Sequence, residues 1–177
     1  MSMNDPRYQY EKVIAIKVIL ENSEGKILLI QEPQTNEWMP FHWGLPGGKP
    51  LVKESLYEAF KRKMKEELGF DIEPEGIYRV EELLIEGRTV YMFHAVAKAG
   101  TANFPGQIKA SKWVGAEDIE KMDVSEFTEY FNKKLLLDFL TGEKKFVDFD
   151  FIETQNYFDL ENDENYRKWV DSGKKGN

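Results

Sequence analysis

A glycine-led helix signal constrains this chain more tightly than any other feature. The run Trp43-Gly44-Leu45-Pro46-Gly47-Gly48 punctuates the sequence, and a helix is expected a few residues further on. Ser55 followed by Glu58 forms a capping-box pattern, in which each side chain bonds the backbone at the other's end of the first turn. Leu56, Phe60, Met64 and Leu68 recur every four residues and make one apolar stripe, and Gly69 supplies the stop. A helix with one apolar face needs a sheet or another helix to bury it, so the flanking segments decide the fold class.

Those flanks read mostly as strands. Val13 to Leu20 is a β-branched run expected to be buried, with Lys26 to Gln31 as its hairpin partner across the turn Asn22-Ser23-Glu24-Gly25. Ile77–Ile85 and Thr89–Lys98 read as two more strands, and Ala99 to Gln107 as loop. Ala110 to Val114 reads as a short strand closed by a turn at Gly115. Phe127, Phe131, Leu135 and Phe139 place a second amphipathic helix over about Ser125 to Leu140. The pattern predicts an α/β class, more narrowly an α+β sandwich. Beyond Thr141, Phe146, Phe149, Phe151 and Ile152 point to an extended apolar segment, and Asp163 to Val170 to a short helix.

Composition excludes several functions. The 177 residues suit one domain with an extension. Cysteine is absent, which rules out disulfides and thiolate metal sites. A net charge of −8 argues against nucleic acid as a partner, although a local pair of cations or a metal ion can still hold a phosphate. No apolar run is long enough to span a membrane and the N-terminus has no apolar signal region, so a cytoplasmic location is expected.

The stretch from Gly48 to Phe70 resembles the Nudix box. The family pattern is Gly, five residues, Glu, seven residues, then Arg-Glu-aliphatic-any-Glu-Glu-any-Gly-aliphatic, and Gly48, Glu54, Arg62, Glu66, Glu67 and Gly69 match it. Met64 and Phe70 stand in for aliphatic positions. The resemblance covers roughly residues 10 to 140. It implies a Nudix fold with a mixed β-sheet between helices, a Nudix domain over 1–145 and a C-terminal extension over 146–177, packed on the domain or at a dimer contact. It further implies an enzyme similar to MutT that cleaves the phosphoanhydride of a nucleoside diphosphate linked to another group, using Mg2+ or Mn2+. Glu66 and Glu67 are then the metal ligands and, with Arg62 as their organiser, the catalytic set. Glu54 braces the loop and helix, and Gly69 ends the helix. Gly47, Gly48, Trp43 and Lys63 are the candidate substrate contacts. A homodimer is left open.

The physics of the box stands independently of the resemblance. Hydrolysis of a diphosphate needs its charge neutralised and a water activated, and a divalent cation does both. Magnesium takes oxygen ligands from a few carboxylates plus phosphate and water. Residues four apart on a helix face the same way, so positions 63 and 67 share a side, with 66 nearby. Lys63, however, stands where the pattern has a glutamate. Lysine has three donors and no acceptor, so its charged form cannot ligate a metal; it can instead pair with Glu67 or line the pocket, and fewer bound metals and slow turnover are expected. The resemblance also implies a further acid from the loop before the Lys112–Val114 strand, and that loop, Phe104 to Lys109, offers no carboxylate; Glu81, Glu82 and Glu117 are the candidates to compensate. The rival reading is a nucleotide or nucleotide-sugar binding module with little hydrolysis. His42 and His94 read as structural or exposed. Trp38, Phe41 and Trp43 suit either stacking on a base or covering the core.

Overall fold

A computed structural model describes residues 11–36, 39–85, 88–100 and 110–147, with positions 164, 167, 168 and 171. Seven strands form one mixed sheet: β1 (Glu11–Asn22), β2 (Ile27–Gln31), β3 (Trp43–Gly44), β4 (Gly47–Gly48), β5 (Pro74–Ile85), β6 (Arg88–Gly100) and β7 (Ser111–Val114). Among the described residues up to Val147, three α-helices accompany it: α1 (Leu56–Leu68), α2 (Ala116–Lys121) and α3 (Asn132–Thr141). None of the helices among the described residues is long and apolar enough to cross a membrane.

The period of two along β1 explains the layering. Ile16, Val18 and Leu20 face one side, where they meet Ala59, Phe60, Met64 and Leu68 of α1. Ile19 faces the other side and joins Ile119 of α2 with Leu135, Leu136 and Phe139 of α3. The expected sandwich, a mixed sheet between helices, is therefore present. β1 and β6 run parallel along nearly their whole length, from Glu11 opposite Arg88 to Glu21 opposite Lys98. A parallel pair needs a crossover connection, and α1 lies within it.

The expected hairpin of β1 and β2 is much reduced. The two strands pair at Glu21 and Ile27, after which β2 turns to β7 and β3. The edge of β1 thus vacated is taken by β4, with Ile16 opposite Gly48 and Lys17 opposite Gly47. This exchange brings the glycine turn into the centre of the sheet.

Three further expectations need correction. The helix expected over Ser125 to Leu140 is a 3-10 turn at Val124–Glu126, an irregular stretch, and then α3 from Asn132. Phe127 is extended (φ −95°, ψ 151°) and bridges Trp43, so it enters the core from a non-helical segment. Gly115 begins α2 instead of a simple turn, with its amide donating to Asp118 at 2.9 Å. Strand β6 continues to Gly100, past the predicted end at Lys98.

Lys144 and Val147 join the end of α3 to the sheet: Lys144 meets the buried Glu21 at 2.5 Å and Val147 pairs with Ile77. Phe149, Phe151 and Ile152 lie outside the described residues, as does the loop 104–109. Of the predicted terminal helix, Glu164, Arg167, Lys168 and Asp171 are described, and they are helical.

Phe60 is fully buried between α1 and the sheet. Phe60→Ala should lower unfolding free energy by about 3–5 kcal/mol, read as a lower urea midpoint at unchanged slope.

Candidate functional site

The site is assembled where α1 ends against β4. The predicted capping box is formed: Glu58 N–H donates to Ser55 Oγ at 3.1 Å and Ser55 N–H to the Glu58 carboxylate at 2.7 Å. Gly69 closes the helix with a left-handed cap. With both ends fixed and the apolar stripe on the sheet, the polar residues Arg62, Lys63, Glu66 and Glu67 are aimed at fixed points along the glycine turn.

Gly47 has φ +138°, and a Cβ there would fall 2.1 Å from the carbonyl oxygen of Ile16, so only glycine fits against β1. Its amide, directed the other way, donates to Glu67 Oε2 at 2.9 Å. A Cβ on Gly48 would lie 2.6 Å from Lys63 Cε, so the lysine side chain lies across the bare backbone of that glycine.

Arg62 organises the carboxylates. Its Nε and one terminal nitrogen donate to the two oxygens of Glu54 at 2.7 and 2.8 Å, a bidentate pair. The same terminal nitrogen reaches the Lys49 carbonyl at 3.1 Å, and the other lies 3.2 Å from Glu66. Glu54 also accepts from the Leu51 amide at 2.6 Å, which anchors the loop ahead of the helix. The Arg62 guanidinium holds the Glu54 carboxyl below its ordinary value, and Glu54 in turn holds Arg62 firmly protonated.

Lys63 pairs with Glu66 Oε2 at 3.1 Å, correcting the expected pair with Glu67. The reason is geometric. The Glu67 carboxylate points to β4, while Glu66 points back along the helix between the two cations. Lys63, and then Arg62, hold the pKa of this exposed Glu66 carboxyl below its ordinary value. Glu67 thus has one oxygen on the Gly47 amide, and Glu66 is bound to cations.

The structure brings Gly47, Gly48, Glu54, Arg62, Lys63, Glu66 and Glu67 together. Trp43 sits elsewhere in the network: it packs with the core on the α3 side, and the Lys112 ammonium lies 4.2 Å from the centre of its ring. Glu81 and Glu82 are engaged by Arg79 and Tyr91, and Glu117 lies in the first turn of α2. Among the described residues, no group of three or more His, Asp or Glu side chains converges as a metal cluster. Glu67 and Glu66 are the residues that could hold a divalent cation here, through carboxylate oxygens.

A polar cluster on the opposite face of β1 carries no signal in the sequence. Glu129 lies 3.7 Å from Lys17 and accepts from Asn132 at 2.6 Å. Beside it His94 is fully buried, its ring edge-on to Phe131 with centroids 5.8 Å apart. Opposite registers connect these groups: Lys17 pairs with His94 on one side and Gly47 on the other. His42 has a local role, with Nδ1 2.7 Å from the Pro40 carbonyl. Phe41 is exposed, and Trp38 lies outside the described residues.

A family model described as the NUDIX domain matches residues 11–135. The chain belongs to the Nudix family. Among curated relatives, a NudJ phosphatase of Shigella boydii is 28% identical over 105 residues, covering 56% of this chain and 67% of that protein. The human 8-oxo-dGDP phosphatase NUDT18 is 30% identical over 105 residues, covering 59% of this chain and 30% of that protein. This Nudix chain therefore spans about two thirds of the first relative and under a third of the second. Among solved structures, a NUDIX hydrolase from Nitrosomonas europaea superposes with a TM-score of 0.65 at 18% identity, covering 82% of this chain and 99% of that one. The fold, and the membership of a family of hydrolases, rest on these matches and on the box geometry together.

Burial and the neighbouring Lys17 charge pull His94 down to about 3 from an ordinary 6.5. The folded state thus binds this proton less readily than the unfolded chain, and stability rises with pH between those two values. The melting temperature should fall as pH drops from 6.5 to 5, above the range where carboxylates titrate, and His94→Phe should flatten that slope. An equal slope in the variant would assign the effect elsewhere.

Proposed function

We propose that this Nudix chain hydrolyses a phosphoanhydride in a nucleoside diphosphate linked to a second group, at the junction of α1 and the Gly47–Gly48 turn. The observation that carries this reading is the Glu67 carboxylate, held on the Gly47 amide at 2.9 Å beside a turn over which the Lys63 side chain lies. A diphosphate reaching this turn meets an ammonium and a carboxylate, and the carboxylate can share a divalent cation with it. The name of NUDT18, an 8-oxo-dGDP phosphatase, supports a nucleoside diphosphate as the core of the substrate.

Glu67, with Glu66 beside it, would hold Mg2+ or Mn2+. When bound there, such an ion neutralises phosphate charge and lowers the pKa of a water. The residues of the chain do the rest. Arg62 fixes Glu66 and Glu54 relative to each other, so the helix end and the loop before it move as one piece. Gly47 fixes the direction of Glu67. Preorganised charge of this kind lowers the barrier because little reorganisation is left for the reaction itself.

Lys63 favours a second reading. Its pairing with Glu66 takes up charge that would otherwise attract a metal, and a chain so altered fits a nucleotide or nucleotide-sugar binder with slow or no turnover. A substrate panel of ADP-ribose, nucleotide sugars, dinucleoside polyphosphates and nucleoside triphosphates with Mg2+ or Mn2+ separates the two. The hydrolase reading expects release of mononucleotide, with kcat falling on the order of 100-fold in Glu67→Gln. Ligand-dependent thermal stabilisation without turnover would instead establish the binding module. For Glu54→Gln, loss of the bidentate partner should lower kcat by about 10-fold with little change in KM, since Arg62 then no longer aligns the loop with the helix.

A further inference from the structure

We propose that the Lys63 ammonium is a resident cation of this site, so that a diphosphate binds here without a divalent metal. The inference rests on the reading that the Gly47–Gly48 turn receives a diphosphate, and it deepens that reading by assigning part of the neutralising charge to the protein.

Three observations carry it. First, the lysine stem lies against the turn itself: Cε is 2.6 Å and Nζ 3.5 Å from where a Cβ of Gly48 would be. The stem covers the backbone there, so an anion that approaches the turn meets the ammonium. Second, the present partner of Lys63 is dispensable to it. Glu66 is half exposed and also lies 3.2 Å from an Arg62 nitrogen, so the lysine can turn to an incoming phosphate while the carboxylate keeps a cation. Third, the arrangement is already fixed by its neighbours. Arg62 is locked on Glu54 by two hydrogen bonds, and Glu67 is directed to the Gly47 amide, so neither competes for the lysine.

The chemistry follows from the residue type. An ammonium offers three donors and one positive charge, which suits phosphate oxygens and no metal. Replacing a glutamate by a lysine at this point makes the local charge more positive by two units, which removes much of the repulsion a diphosphate would meet among Glu54, Glu66 and Glu67. The site then trades part of its demand for a mobile cation for a tethered one.

The test is calorimetric titration of the full chain with methylenediphosphonate, a diphosphate analogue that cannot be hydrolysed, in EDTA and again with Mg2+. The native chain should bind in EDTA. Lys63→Met, which keeps the apolar stem, should weaken that binding by about 10-fold or more, the worth of one charge-assisted hydrogen bond, while Lys63→Arg retains it. Lys63→Glu should bind when Mg2+ is present and not in EDTA. Unchanged thermal unfolding of Lys63→Met guards against a folding defect. Binding by the native chain only with Mg2+, or equal binding by Lys63→Met in EDTA, overturns the proposal. Because no bond is broken in this assay, a chain that binds the analogue without metal but hydrolyses nothing sinks the catalytic reading alone. A chain that hydrolyses but binds only with metal sinks this one alone.

Discussion

One hydrogen bond, from the Gly47 amide to the Glu67 carboxylate, connects everything that matters in this molecule. Gly47 is held by its pairing with Lys17 on β1, the central strand. Glu67 lies in the last turn of α1, whose other face is packed against the same sheet. The bond therefore sets the distance between a helix end and a glycine turn that are 20 residues apart in the chain. It depends on a residue with no side chain at position 47, because β1 lies too close for a Cβ.

Around this contact the charges are ordered in a chain. Glu54 grips Arg62, Arg62 and Lys63 share Glu66, and Glu67 stands on the backbone amide. Each acid thus has a distinct environment. Glu54 is a brace, Glu66 is compensated by cations, and Glu67 is oriented by the Gly47 amide. A pair of adjacent glutamates on a helix would ordinarily be a solvated surface feature. Here the glycine turn makes them different from each other: Glu66 lies between two cations, and Glu67 is held on a backbone amide.

Much of this was legible in the sequence, because the signals are local. The capping box at Ser55 and Glu58, the four-residue apolar stripe and the Gly69 stop are contained within one helix, and all are realised. The errors lie where tertiary pairing overrode a local pattern. Phe127, Phe131, Leu135 and Phe139 keep helical spacing, yet Phe127 is extended because its backbone bridges Trp43 and the Thr128 amide bonds the Trp43 carbonyl. The two-residue strand β4 has no pattern to detect, and its insertion beside β1 is what cut short the predicted hairpin. The partner of Lys63 has the same origin: spacing alone allows Glu67, but the Gly47 amide, distant in sequence, holds that carboxylate and Lys63 pairs with Glu66. The cluster of Lys17, His94, Glu129 and Asn132 could not be read at all, since it joins two strands and a segment far apart in sequence.

The central claim is that Glu67, directed by the glycine turn, gathers a divalent ion at this junction. Electron paramagnetic resonance of Mn2+ titrated into the chain counts bound ions directly, without any substrate. The account predicts a single Mn2+ site that disappears in Glu67→Gln and persists in Glu117→Gln, whose carboxylate lies on another helix. Mn2+ binding that is indifferent to Glu67 would contradict it.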